Sequence, residues 1–77
     1  MKTEYCLKSM RANKNMTQEQ LAEMLGRSRQ NYITIEKNPL NSELDDLLKI
    51  IALLEGNIDD FLYALKQDYM SYNDSKE

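Results

Sequence analysis

The stretch TQEQLAEMLGRSRQNYITIE, Thr17 to Glu36, decides the fold. Thr17 and Gln20 form a capping box: the Thr hydroxyl takes the third amide of a helix and Gln20 reaches back. Leu21, Ala22, Met24 and Leu25 then share one apolar face. Gly26 suits the left-handed residue that stops a helix. Two residues later Ser28 caps the next helix, in which Tyr32 and Ile35 recur at a three-residue spacing. With only Gly26-Arg27-Ser28 between them, the two helices must cross steeply, and the small Ala22 falls where they come closest.

The same reading extends outward in both directions. Thr3, Tyr5, Leu7, Met10 and Arg11 suit a first helix over about residues 3–13, broken by Asn13-Lys14-Asn15. Pro39 closes the third helix. Ser42-Glu-Leu-Asp45 predicts a fourth helix with Ser42 as N-cap and early acids that suit the dipole. Its apolar set Leu44, Leu47, Leu48, Ile50, Ile51 and Leu54 is broad enough to predict burial on more than one side. Gly56 is expected to end it, and Asn57 to cap a fifth helix carrying Ile58, Phe61, Leu62 and Leu65. From Gln67 the chain turns polar, and residues 73–77 are predicted to be a disordered tail. The expectation is an all-α, five-helix fold in one domain, 1–72.

Composition narrows the function. Among 77 residues there is no His, one Cys and two Gly. That leaves no usual general base, no zinc cluster and no glycine-rich phosphate loop, so neither an enzyme nor a metal or cofactor protein is expected. The lone Cys6 cannot form an internal disulfide, and no apolar stretch approaches the roughly 20 residues of a membrane span, so a cytoplasmic location is expected. The net charge of -3 is unevenly spread. Residues 1–37 carry seven Lys and Arg against four Asp and Glu, a charge of +3. Residues 38–77 carry three against nine, a charge of -6. A basic first half is what a one-faced polyanion binder needs, because only the docking face must attract phosphate.

With Tyr32 and Ile35 turned inward, the third helix presents Ser28, Arg29, Gln30, Ile33 and Thr34 outward. Arg is shaped to read guanine and Gln to read adenine. In a helix-turn-helix it is the N-terminal part of the second helix that enters the major groove of double-stranded DNA.

Met16 to Leu54 resembles the lambda-repressor-like (XRE-type) helix-turn-helix proteins. Arg11, the run Met16 to Gly26, Ser28-Arg29-Gln30, Ile35-Glu36 and Leu44 through Ile50 carry the likeness. The resemblance implies five packed helices, with Arg11 of the first paired to Glu36 of the third. It also implies base contacts from Arg29, Gln30 and Thr34, with Ile33 beside them, and backbone contacts from Gln18, Ser28, Lys37 and Asn38. Two positions depart from the pattern. Arg27 stands where the family places an aliphatic core residue and is expected to point out toward phosphate. Tyr32 stands where Val or Ile is usual.

One short reading helix gives little contact, and a two-fold dimer on a palindromic operator solves this. Ile58, Phe61, Leu62 and Leu65 are the expected homodimer interface, extended by Tyr63, Tyr69 and Met70. A repressor is the expected job. The Asn38-Pro-Leu-Asn-Ser42 segment is similar to HipB-type antitoxins, which implies a HipA-type kinase toxin as partner. The alternatives are a stand-alone phage-type repressor and a helical protein-interaction module without DNA.

Overall fold

Caps and breakers punctuate this chain so densely that its helices follow one another with short joints. The computed structural model describes residues 2–75, with side chains through Ser71. The order is α1 (Lys2–Asn13), α2 (Gln18–Leu25), α3 (Arg29–Lys37), a 3-10 turn (Pro39–Asn41), α4 (Leu44–Leu54) and α5 (Ile58–Ser75). Among the described residues no helix is long and apolar enough to cross a membrane.

Local chemistry explains most boundaries. Thr17 Oγ1 accepts from Gln20 N at 3.0 Å, while Gln20 Oε1 accepts from Thr17 N at 2.9 Å. Gly26 is left-handed, with φ 77°. Ser28 Oγ accepts from Asn31 N at 3.1 Å, and Asn57 Oδ1 accepts from Asp59 N at 2.8 Å and Asp60 N at 3.2 Å. One core gathers Leu7 and Met10 of α1, Leu21 and Ala22 of α2, Tyr32 and Ile35 of α3, Leu47, Ile50, Ile51 and Leu54 of α4, and Phe61 of α5.

Four expectations are corrected. Ser42 does not cap α4: Glu43 takes that place without a side-chain bond, and Ser42 Oγ instead donates to Asn38 O at 3.3 Å. Gly56 is not the left-handed stop of α4. Glu55 is, with φ 52°, while Gly56 packs against the Met10 thioether, which would have to shift to admit a Cβ. The apolar face of α4 is narrower than its composition implies, since Leu44 and Leu48 stand exposed. Finally, the polar stretch from Gln67 is helical through Ser75, with no Gly or Pro after Asn57 to stop it. The first three positions of the expected tail 73–77 are thus the end of α5, and 76 and 77 lie outside the described residues.

Asp68 gives that extension its purpose. It follows Phe61 and Ala64 on the inward line of α5 and is itself buried. Its carboxylate accepts from Lys2 N and Thr3 N, both at 2.8 Å, and from the Thr3 hydroxyl. An acid of α5 therefore caps the N-terminus of α1, where amides lack partners and the dipole favours negative charge. Burial alone would raise its pKa, but the bonds from Thr3 and Lys2 outweigh burial and hold the carboxyl below the usual carboxylate range.

A depressed carboxyl stabilises the fold above its ordinary pKa of about 3.9, and loses that contribution as pH falls through its own lower value. Asp68→Asn is expected to destabilise the protein by about 2 kcal/mol at neutral pH. The gap to the parent should close in acid, as pH falls below the ordinary carboxylate range. Urea denaturation of both at neutral and acid pH measures this; a gap that persists in acid would show that the charge of Asp68 is not what matters.

Candidate nucleic-acid interface

Two capped helix starts and one buried carboxylate build this face. Glu36, in the last turn of α3, is 1% exposed. Arg11 Nε of α1 donates to its Oε1 at 3.0 Å, and Gln18 Nε2 of α2 donates to its Oε2 at 2.7 Å. Arg11 Nη1 also donates to Met16 O at 3.2 Å, which anchors the segment entering α2. Each carboxylate oxygen thus holds a different helix. Tyr32 closes the inner side of α3 and is fully buried, with no hydrogen-bond partner for its hydroxyl. Burial first, and then the Glu36 charge, push its phenol pKa well up, partly offset by Arg11.

The outer side of α3 is the opposite in character. Arg29, Gln30 and Thr34 are exposed, and Ile33 between them is half-buried. Ser28, Lys37 and Asn38 are exposed at the two ends of the helix. Thr34 Oγ1 donates to Gln30 O at 3.0 Å. The only acid of α3 is Glu36, which is buried and paired, so the exposed surface of this helix carries Arg29 and Lys37 with no opposing charge. Beside it, Arg11, Met16, Thr17, Gln18, Glu19 and Arg29 line an open cleft of about 560 Å³. That cleft sets the first turn of α2 next to the first turn of α3, two helix N-termini able to receive an anion.

Two side chains are placed differently from expectation. Gln18 directs its amide nitrogen to Glu36, so what it turns toward the cleft is the start of α2. Arg27 does not point out freely. Its Nη2 lies 3.0 Å and 2.9 Å from the two carboxylate oxygens of Asp46, a buried residue of α4. An ion pair stands where the family has an apolar contact, and it ties the turn between α2 and α3 to α4. Sequence reasoning missed Asp46; its only signal is the four-residue spacing to the core residue Ile50. Within the expected dimer set, Phe61 belongs to the core at 1% exposure and Leu65 is half-buried against it, whereas Ile58 and Leu62 are open to solvent.

Glu36→Ala is expected to cost about 3 kcal/mol, because it leaves the Arg11 charge half-buried without its partner and frees the Gln18 amide. Thermal and urea melts measure this. An unchanged melting temperature would mean that the pair holds nothing together.

Helix-turn-helix is also what comparison with known families returns, over residues 7–61. An uncharacterised HTH-type transcriptional regulator of Methanocaldococcus jannaschii is 45% identical over 58 residues, covering 74% of this chain and 88% of that protein. No solved structure matches the chain. The match spans the capped pair α2 and α3 together with the helices that brace them, and the chain belongs to the lambda-repressor-like (XRE-type) helix-turn-helix family of DNA-binding domains.

Proposed function

We propose that this protein is a sequence-specific DNA-binding transcription regulator, a repressor that sits as a homodimer on a palindromic operator and blocks access to the promoter. One observation carries the reading. The outer face of α3 is exposed and free of acids, with Arg29 and Gln30 in its first turn, while Tyr32, Ile35 and Glu36 pin the inner face. A reading helix needs both properties: side chains free to meet base edges, and a backbone that cannot roll when they do. Arg29 reads guanine through O6 and N7, and Gln30 reads adenine through N6 and N7. Ser28, Lys37, Asn38 and the start of α2 at Gln18 hold the phosphates on either side.

An antitoxin role beside repression rests on the Asn38–Ser42 segment, which forms the turn between α3 and α4. A kinase-like gene adjoining this one, and co-purification of its product with this chain, would support that role. Phage genes in the neighbourhood would favour a stand-alone repressor.

The double substitution Arg29→Ala with Gln30→Ala is expected to weaken binding to the cognate operator on the order of 100-fold, with the melting temperature unchanged. Parent binding should fall steeply with salt as phosphate contacts release counterions. Gel shift or fluorescence anisotropy on the DNA upstream of the gene provides the measurement. Equal affinity of parent and variant would sink the assignment of Arg29 and Gln30 as readers, and no binding by the parent would leave a helical interaction module without DNA.

A further inference from the structure

Arg27 commits only part of its guanidinium to the ion pair with Asp46. One nitrogen, Nη2, reaches both carboxylate oxygens, at 3.0 Å and 2.9 Å. A guanidinium carries five N–H donors, and among the described residues those on Nε and Nη1 take part in no hydrogen bond. The strongest arginine–carboxylate contact is a fork of two nitrogens on two oxygens, and Arg27 does not form it. The partners also differ in exposure: the Asp46 side chain is 9% exposed and the Arg27 side chain 41%. The acid is an anchor, and the arginine keeps an open side.

Position decides what that open side meets. Arg27 stands directly before Ser28, the N-cap of α3, and Gly26, Arg27 and Ser28 are all exposed. Arg29, two residues on, lines the cleft against the first turn of α2, whereas Arg27 reaches the first turn of α4. The two arginines thus leave the start of α3 in different directions. With the N-terminal part of α3 in the major groove, Arg29 goes to the bases, and a donor beside Ser28 meets the sugar–phosphate backbone at the rim of the groove. An unheld arginine would lose its rotamer freedom on docking; one held by Asp46 has lost it already on folding.

We infer that Arg27 contacts a DNA phosphate, and that Asp46, which itself touches no DNA, is the positioning residue that presents it. Asp46 holds Nη2, while Nε and Nη1 donate to a phosphate oxygen beside the start of α3. The inference rests on the DNA reading above and adds to it a backbone contact from the turn, tied to α4 and independent of the Glu36 network.

The experiment is fluorescence anisotropy on the full chain with two duplexes, the DNA upstream of the gene and an unrelated sequence of equal length. Arg27→Met with Asp46→Leu replaces the pair by apolar side chains of similar size, which such sites tolerate, and leaves the net charge unchanged. This variant should melt close to the parent and bind both duplexes about tenfold more weakly, because a phosphate contact carries no sequence information. Asp46→Asn keeps the shape, but its amide nitrogen cannot accept from Nη2. By charge alone Asp46→Asn would bind DNA more tightly; loss of positioning should instead weaken binding to both duplexes about threefold. A folded pair variant with parent affinity, or Asp46→Asn binding as tightly as the parent or more so, would overturn the assignment. Asp46→Asn decides alone if the pair variant does not fold. The Arg29 and Gln30 substitutions should lower binding to the upstream duplex far more than to the unrelated one, so failure of the base reading shows separately. A parent that binds neither duplex would overturn the DNA reading and this contact with it.

Discussion

A carboxylate at 1% exposure cannot stand alone, because burying an unpaired charge costs more than a small domain can tolerate. The Glu36 carboxylate escapes that penalty by taking a donor from each of two other helices, Arg11 of α1 and Gln18 of α2. The requirement fixes geometry as well as energy. Apolar packing by Tyr32 and Ile35 tolerates small rotations of α3 about its axis; a carboxylate held at both oxygens does not. Arg11 also grips Met16 O, so the guanidinium that neutralises the end of α3 sets the start of α2. The angle between the two helices follows from satisfying one charge.

The same solution recurs at the other junctions. Arg27 and Asp46 join the inter-helix turn to α4, and Asp68 joins α5 to the first amides of α1. A chain of 77 residues buries a modest core. Three buried carboxylates, each from a different helix, add polar contacts between helices to it. All three contacts are long-range, joining residues 19 to 66 positions apart, so they are made only when the helices reach their final places.

What could be read from the sequence was local. The Thr17–Gln20 box, the left-handed Gly26 and the Ser28 cap each lie within a few residues of their partners, so the boundaries of α2 and α3 were legible, and with them the outward set Arg29, Gln30 and Thr34. Errors arose where a distant residue decided. Arg27 is held by Asp46 of α4, which no periodicity links to it. Gly56 looked like a stop because glycine usually is one; its small size answers Met10 of another helix, while Glu55 adopts the left-handed backbone. Phe61 looked available to a partner because apolar spacing does not distinguish the core flank of α5 from the open flank beside it. Asp68 was lost in a stretch read as polar tail, although it lies seven residues after Phe61 on the same side of the helix.

Thr34 carries a last consequence. Its hydroxyl hydrogen is committed to Gln30 O one turn back, which leaves the oxygen lone pairs and the methyl group as what it can offer outward. In the proposed docking it would accept from the exocyclic amine of cytosine or adenine, or rest against the thymine methyl, and it would have no proton to give guanine. Arg29 beside it only donates, and Gln30 does both. Three neighbouring side chains thus speak three different chemical dialects, and the bond from the Thr34 hydroxyl to the Gln30 carbonyl assigns one of them.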